Sequence, residues 1–136
     1  SEAPALRGRV IFTGHVGDMA AVYNGLDVVM SASTSPEPLG TMIIEAMTMA
    51  RPIVAPNHGG AVEMVEDGRT GLLFEPGNAA DLARKIQSLA RDRQLGHQLG
   101  QAARAQALKT FSIEEHVRRV EGVYERVLGT GSALTA

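Results

Sequence analysis

The sequence predicts an α/β fold in which a Rossmann-like parallel sheet is flanked by helices. Short apolar runs bounded by glycine, proline or polar residues alternate with segments of helical period, which is typical of parallel strands joined by helices. The last third of the chain carries only helical patterns. With 136 residues, the chain is long enough to bury one sizeable core. We therefore expect a single domain over residues 1–129 and a loose tail over residues 130–136.

Four apolar runs are predicted to form buried strands: residues 9–14, 26–30, 52–55 and 72–74. A helix over residues 19–25 joins the first two. A second helix begins at about Gly40, because apolar side chains recur there at the spacing of one helical face. The fourth strand follows a turn at residues 68–71.

Three helices are predicted after the last strand. Asn78 and Asp81 form a weak capping box for a helix that ends at about Ala90, and a second helix covers residues 94–109. Ser112 and Glu115 form a better capping box for the third helix, which Gly129 ends. An apolar stripe follows one face of this last helix: Val117, Val120, Tyr124, Val127 and Leu128.

Composition excludes several functions. The net charge is −2 and the basic residues are scattered, so neither nucleic acid nor an anionic membrane is an expected partner. The absence of cysteine excludes a disulfide scaffold and favours a cytoplasmic location. No segment is typical of a signal peptide or a membrane span. No metal-ligand spacing, Asp-x-Asp or Gly-x-Gly-x-x-Gly occurs, and we expect no metal and no cofactor.

The most informative segment places two glutamates eight residues apart across a loop-to-helix junction. Pro36 and Pro38 hold Glu37 in an extended loop, and Glu45 lies one turn inside the following helix. Between the two carboxylates lie the unpaired N–H groups of the first helical turn, which are suited to a phosphate. The two oxygens of Glu45 can each accept a hydrogen bond from a vicinal diol such as that of ribose. The segment therefore predicts a clamp for a sugar, a diphosphate and a ribose.

This segment resembles the Glu-x7-Glu motif of retaining glycosyltransferases of the GT-B type, which have two Rossmann-like domains. The resemblance continues through residues 51–55, 59–63 and 67–73 and covers about residues 9–128. Ala50 stands where such proteins often carry glycine, and alanine is small enough for close packing of helix on strand. The resemblance implies that the chain is the C-terminal, nucleotide-sugar-binding domain of such an enzyme.

The resemblance also implies roles for individual residues. Glu45 would bind the ribose, and Glu37 would face the transferred sugar, where a carboxylate stabilises positive charge at the anomeric carbon. The backbone N–H groups of Leu39, Gly40 and Thr41 would contact the sugar or the phosphates, with Gly40 allowing close approach. Thr41 could also cap the helix with its hydroxyl.

The resemblance implies that a loop at the end of the first predicted strand contacts the nucleobase, largely through backbone groups. It consists of Gly14, His15 and Val16, and ligands of open parallel sheets bind at this edge. The alternative for His15 is an exposed loop residue without a role. Simple alternatives exist for the clamp as well, namely a solvent-exposed Glu45, a turn residue at Glu37 and a helix start whose amides bind water.

The expected function is glycosyl transfer from a nucleoside diphosphate sugar to an acceptor hydroxyl with retention. In the resembled enzymes a further N-terminal domain, and an arginine and a lysine that neutralise the leaving diphosphate, would precede residue 1. We therefore expect a fragment that is inactive alone and that forms homo-oligomers through an open sheet edge and its last helix. The alternatives are a non-catalytic nucleotide-sugar-binding or interaction module and a nucleotide-sugar epimerase of similar architecture.

Overall fold

The computed structural model describes residues 8–129. This part of the chain forms helices and strands that alternate as far as residue 74 and are then exclusively helical. In chain order they are α1 Met19–Gly25, β1 Val29–Met30, α2 Thr41–Thr48, β2 Ile53–Pro56, α3 Ala61–Met64, β3 Leu72–Phe74, α4 Ala79–Arg91, α5 Arg93–Thr110 and α6 Ile113–Leu128. The predicted tail at residues 130–136 lies outside the described residues.

The three strands form one parallel sheet in the order β1-β2-β3. Val29 pairs with Ile53, and Val54 pairs with Leu72. All four residues of the central strand β2 are buried, as expected for a parallel strand with helices on both faces. The Rossmann-like α/β fold predicted from the sequence is confirmed.

Side chains that alternate along β2 divide the core into two layers. Ile53 and Ala55 point into the larger layer, which contains residues of α2, α3 and α5. Val54 points to the other side and packs with apolar residues of β3, α4 and α5. Because α5 contributes to both layers, it holds the sheet and the C-terminal helices together.

The turn between α2 and β2 is shaped by its contact with α5. A Cβ atom at Gly100 would lie 2.2 Å from the carbonyl oxygen of Ala50, so only glycine allows α5 to approach this closely. Ala50 itself has a φ of 54°, in the left-handed region that favours glycine. The small size of alanine is therefore not the only property that matters at position 50, because the backbone conformation there also favours glycine.

The strand predicted over residues 9–14 is wrong. No strand includes these residues, and Ile11 and Phe12 are 82% and 86% exposed. A strand is assigned only where its backbone pairs with a neighbouring strand, and residues 9–14 do not pair with β1, the edge strand of the sheet within residues 8–129. The second predicted strand, over residues 26–30, is likewise reduced to Val29 and Met30.

The C-terminal helices begin where the sequence predicts. The Asn78 side chain accepts from the Asp81 amide, and the Ser112 side chain accepts from the Glu115 amide. The carboxylate of Glu115 pairs with Arg118 and Arg119, and these hydrogen bonds lower its pKa. Gly129 ends α6 in the left-handed conformation, with a φ of 68°. None of the residues of α6 is buried, so its apolar stripe is exposed.

Candidate functional site

The predicted clamp lies at the carboxyl edge of the sheet, where β1 and β2 end. A cleft of about 410 Å³ opens there, lined by residues 30–33, Glu37 and residues 39–43. The structure therefore brings Glu37, Leu39, Gly40 and Thr41 to one cavity. This is the edge at which open parallel sheets bind ligands, because the loops and helix starts that follow the strands converge there.

The start of α2 offers free backbone N–H groups to this cleft. Gly40 is the N-cap, and no side chain caps the helix. The Thr41 hydroxyl therefore does not cap α2, contrary to one alternative considered for it. The Ile43 and Ile44 amides both donate to the Gly40 carbonyl, whereas no partner for the amides of Thr41 and Met42 is found in residues 8–129. Such a helix start carries partial positive charge and is suited to an anion.

Gly40 also has a packing role. A Cβ atom there would lie 3.0 Å from the Ile43 Cδ1 atom and 3.5 Å from the Met64 Cε atom. The lack of a side chain at Gly40 therefore lets Ile43 pack beneath the helix start, in addition to leaving its outer side open to a ligand.

The loop that carries Glu37 is held by two consecutive glycines that follow β2. The Gly60 amide donates to the Glu37 carbonyl at 2.7 Å. A Cβ atom at Gly59 would lie 2.8 Å from that carbonyl oxygen, and one at Gly60 would lie 2.3 Å from the Pro38 carbonyl oxygen. The two glycines therefore allow the Glu37 loop to pack closely against the end of β2.

The Glu37 carboxylate is oriented by a local hydrogen bond. Ser33 Oγ donates to Glu37 Oε1 at 2.6 Å. His58 lines a narrow pocket together with Glu37 and Gly40, and both of its ring nitrogens are buried without a hydrogen-bond partner in the described part of the chain. His58 was not among the site residues predicted from the sequence. Its position two residues after the end of β2, at the carboxyl edge of the sheet, is the signal that could have identified it.

Glu45 lies one turn inside α2, on an exposed face that does not line the 410 Å³ cleft. Its Oε2 atom accepts a hydrogen bond of 2.9 Å from the hydroxyl of Tyr23 in α1. Burial, followed by this bond and the charge of Glu45, raises the pKa of Tyr23 to about 12. Tyr23 was not predicted as a site residue from the sequence, because a contact between residues 22 apart leaves no local pattern.

The proposed nucleobase loop does not join the cleft. Gly14, His15 and Val16 precede α1 without a strand before them, and none of the three lines the cavity. Gly14 has a φ of 64°, which favours glycine, and His15 is exposed. The prediction that these residues end a strand is therefore wrong, while their contact with a base stays a prediction.

A second cleft, of about 330 Å³, lies at the opposite edge of the sheet. It is lined in part by Asp27, Arg51, Pro52 and His97, where β1 and β2 begin. We place the candidate site at the carboxyl edge, because only that edge combines a helix start with the Glu37 loop. Within residues 8–129 no cluster of histidine, aspartate and glutamate could hold a metal ion, and no helix is long and apolar enough to cross a membrane.

This chain is similar to a solved structure and to the sequences of two transferases. Anabaena HepE, solved in complex with UDP, superimposes with a TM-score of 0.86 and 34% sequence identity over 90% of this chain and 34% of its own. The sulfoquinovosyl transferase SQD2 of Arabidopsis thaliana is 36% identical over 73% of this chain and 20% of its own length. The capsular polysaccharide biosynthesis glycosyltransferase CapM of Staphylococcus aureus is 30% identical over 88% of this chain and 31% of its own.

These relatives define the class as GT-B glycosyltransferases, of which the chain resembles one Rossmann-like domain. Residues 1–106 match the model of the glycosyl transferases group 1 family. The chain belongs to this family. It spans only about a fifth to a third of the length of the curated relatives described here.

Proposed function

We propose that residues 1–129 form the donor-binding part of a glycosyltransferase that moves a sugar from a nucleoside diphosphate sugar to an acceptor hydroxyl with retention. The observation that carries this proposal is the uncapped start of α2, which opens into a cleft that Glu37 also lines. The likeness to HepE, which was solved with UDP and, separately, with UDP-glucose, supports a nucleoside diphosphate sugar as the ligand.

Within this proposal each predicted site residue has one role. The amides of Leu39, Gly40 and Thr41 bind the sugar or the phosphates, and Glu45 accepts hydrogen bonds from the ribose diol. Glu37 faces the transferred sugar, where its negative charge stabilises the oxocarbenium-like transition state. His15 and its neighbours Gly14 and Val16 contact the base.

We expect this chain to bind the donor without turning it over. No arginine or lysine lines the cleft in the described part of the chain, so the charge that develops on a leaving diphosphate is not neutralised there. The acceptor and the basic side chains would come from elsewhere in a complete enzyme. Activity of the 136-residue chain above that of a Glu37→Gln variant would contradict this expectation.

Calorimetric titration with UDP, GDP and ADP tests the assignment of Glu45. Glu45→Gln should weaken binding of the preferred nucleotide by about 1.5–3 kcal/mol, because a charge-assisted hydrogen bond to ribose is lost. Glu125→Gln, the same change on the exposed face of α6, is the matched control. Equal affinities of the two variants would remove Glu45 from the site, and an absence of binding by all three nucleotides would favour a non-catalytic interaction module.

Comparison of a nucleotide with its sugar conjugate tests Glu37. Glu37→Gln should weaken binding of UDP-glucose, if uridine is the preferred base, and leave binding of UDP unchanged, since the carboxylate faces only the sugar. A loss of affinity for both ligands would instead indicate that the variant disturbs the loop held by Gly59 and Gly60.

A further inference from the structure

We propose that Tyr23 is a positioning residue of the donor site, whose hydroxyl holds the carboxylate of Glu45 in the orientation that receives the ribose diol. The inference rests on the proposed role of Glu45 as the ribose ligand. It adds a residue from another helix, which lies outside the Glu37–Glu45 segment.

The geometry of Tyr23 suits this role. Its side chain is 3% exposed and belongs to the core layer that contains Val29, Ile43 and Met47. The aromatic ring is therefore fixed by packing on both the sheet and α2. Only the hydroxyl reaches the boundary of the core, where it donates to Glu45 Oε2 at 2.9 Å.

Glu45 needs such support because it is an exposed side chain. An exposed glutamate samples many rotamers, and the entropy of fixing one of them weakens ligand binding. The hydrogen bond from Tyr23 removes part of this cost in advance. It uses one acceptor position of Oε2 and leaves Oε1 and the second lone pair of Oε2 for two ribose hydroxyls.

The chemical nature of the group that donates the hydrogen bond to Glu45 matters as well. A tyrosine hydroxyl orients the carboxylate without neutralising it, whereas a lysine or arginine would add a competing charge. Burial and the neighbouring Glu45 raise the pKa of Tyr23 to about 12, so the hydroxyl keeps its proton throughout the neutral range. The hydrogen bond from Tyr23 therefore places no positive charge beside Glu45 that would compete with its charge-assisted bonds to ribose.

Titration with UDP and 2′,3′-dideoxy-UDP, which lacks both hydroxyls of the diol, tests the inference, with GDP or ADP and their 2′,3′-dideoxy forms substituted if the chain prefers another base. Tyr23→Phe keeps the buried ring and removes only the hydroxyl. We expect affinity for the ribonucleotide to fall about two- to tenfold, the factor for one newly mobile side chain, with little change for the dideoxyribonucleotide. The ratio of the affinity for the ribonucleotide to the affinity for the nucleotide without the diol would therefore decrease. Tyr124→Phe, at the exposed tyrosine of α6, should change neither affinity.

A double-mutant cycle separates this inference from the proposal on which it rests. If Tyr23 acts through Glu45, Tyr23→Phe should have no further effect on ribose preference once Glu45→Gln is present. A purely structural Tyr23 would lower affinity for both nucleotides equally, and that result would overturn the inference while leaving the role of Glu45 intact. An unchanged ribose preference in Glu45→Gln alone would instead overturn the proposed role of Glu45.

Discussion

Ala50 shows how a single residue stores strain in this fold. It is the one non-glycine residue with a positive φ in residues 8–129, at 54°. A left-handed conformation costs an alanine about 1–2 kcal/mol. The conformation is maintained because Arg51 N donates to the Ala46 carbonyl at 3.0 Å and because α5 packs through Gly100 on the Ala50 carbonyl. The left-handed conformation of Ala50 therefore lets the chain turn sharply from the end of α2 towards β2.

Ala50→Gly should stabilise the protein. The substitution removes the steric cost of the positive φ, and we expect the free energy of unfolding to rise by about 1 kcal/mol after the larger backbone entropy of glycine is subtracted. Urea denaturation followed by circular dichroism measures the change. Ala105→Gly, in the exposed interior of α5, is the control and should lower stability by about 1 kcal/mol. A loss of stability in Ala50→Gly would contradict the strain argument.

At the level of elements, the Glu37 loop depends on the turn that follows β2. Gly59 and Gly60 lie against the backbone of residues 36–38, and the Gly60 amide donates to the Glu37 carbonyl. Two loops that follow neighbouring strands thereby fix each other. The position of the Glu37 carboxylate is thus set by β2 as well as by its own segment.

Gly60→Ala should displace the Glu37 loop. The new methyl group would lie 2.3 Å from the Pro38 carbonyl oxygen, so the backbone must move, and we expect a loss of about 1–3 kcal/mol in stability. Binding of a nucleoside diphosphate sugar should weaken with it. Gly17→Ala is the control, because its methyl group would meet nothing within 4 Å. Stability equal to that of the control would show that the loop adapts freely.

Elements governed by local sequence could be predicted, whereas those that depend on distant pairing could not. The caps at Asn78 and Ser112 depend on hydrogen bonds over three residues, which the spacing reveals. Residues 9–14 are as apolar as a strand but pair with no strand within residues 8–129, and the pairing of a segment is not determined locally. In the candidate site, the sequence motif predicted both the Glu37 loop and the start of α2. The Tyr23–Glu45 bond joins two helices and left no local signal.

At the scale of the whole molecule, α6 is the least integrated element. It contains no buried residue. Ile113, Val117, Val120, Tyr124 and Val127 are between 39% and 77% exposed. Their separations alternate between four and three residues, the spacing with which apolar side chains form a seam between two packed helices. An exposed apolar stripe of this kind is typical of an interaction surface.

We expect a second copy of this chain to cover the stripe in solution. Two α6 helices can pack their stripes against each other, and light scattering over a concentration series should give a mass that rises above the 14.4 kDa of one chain. Val120→Glu places a charge in the seam and should restore the monomer. Gly122→Glu adds the same charge where a side chain would meet nothing within 4 Å, and it should leave association unchanged. A wild-type mass of 14.4 kDa at every concentration would exclude a second copy as the occupant of this surface, and equal association of the two variants would place the contact elsewhere.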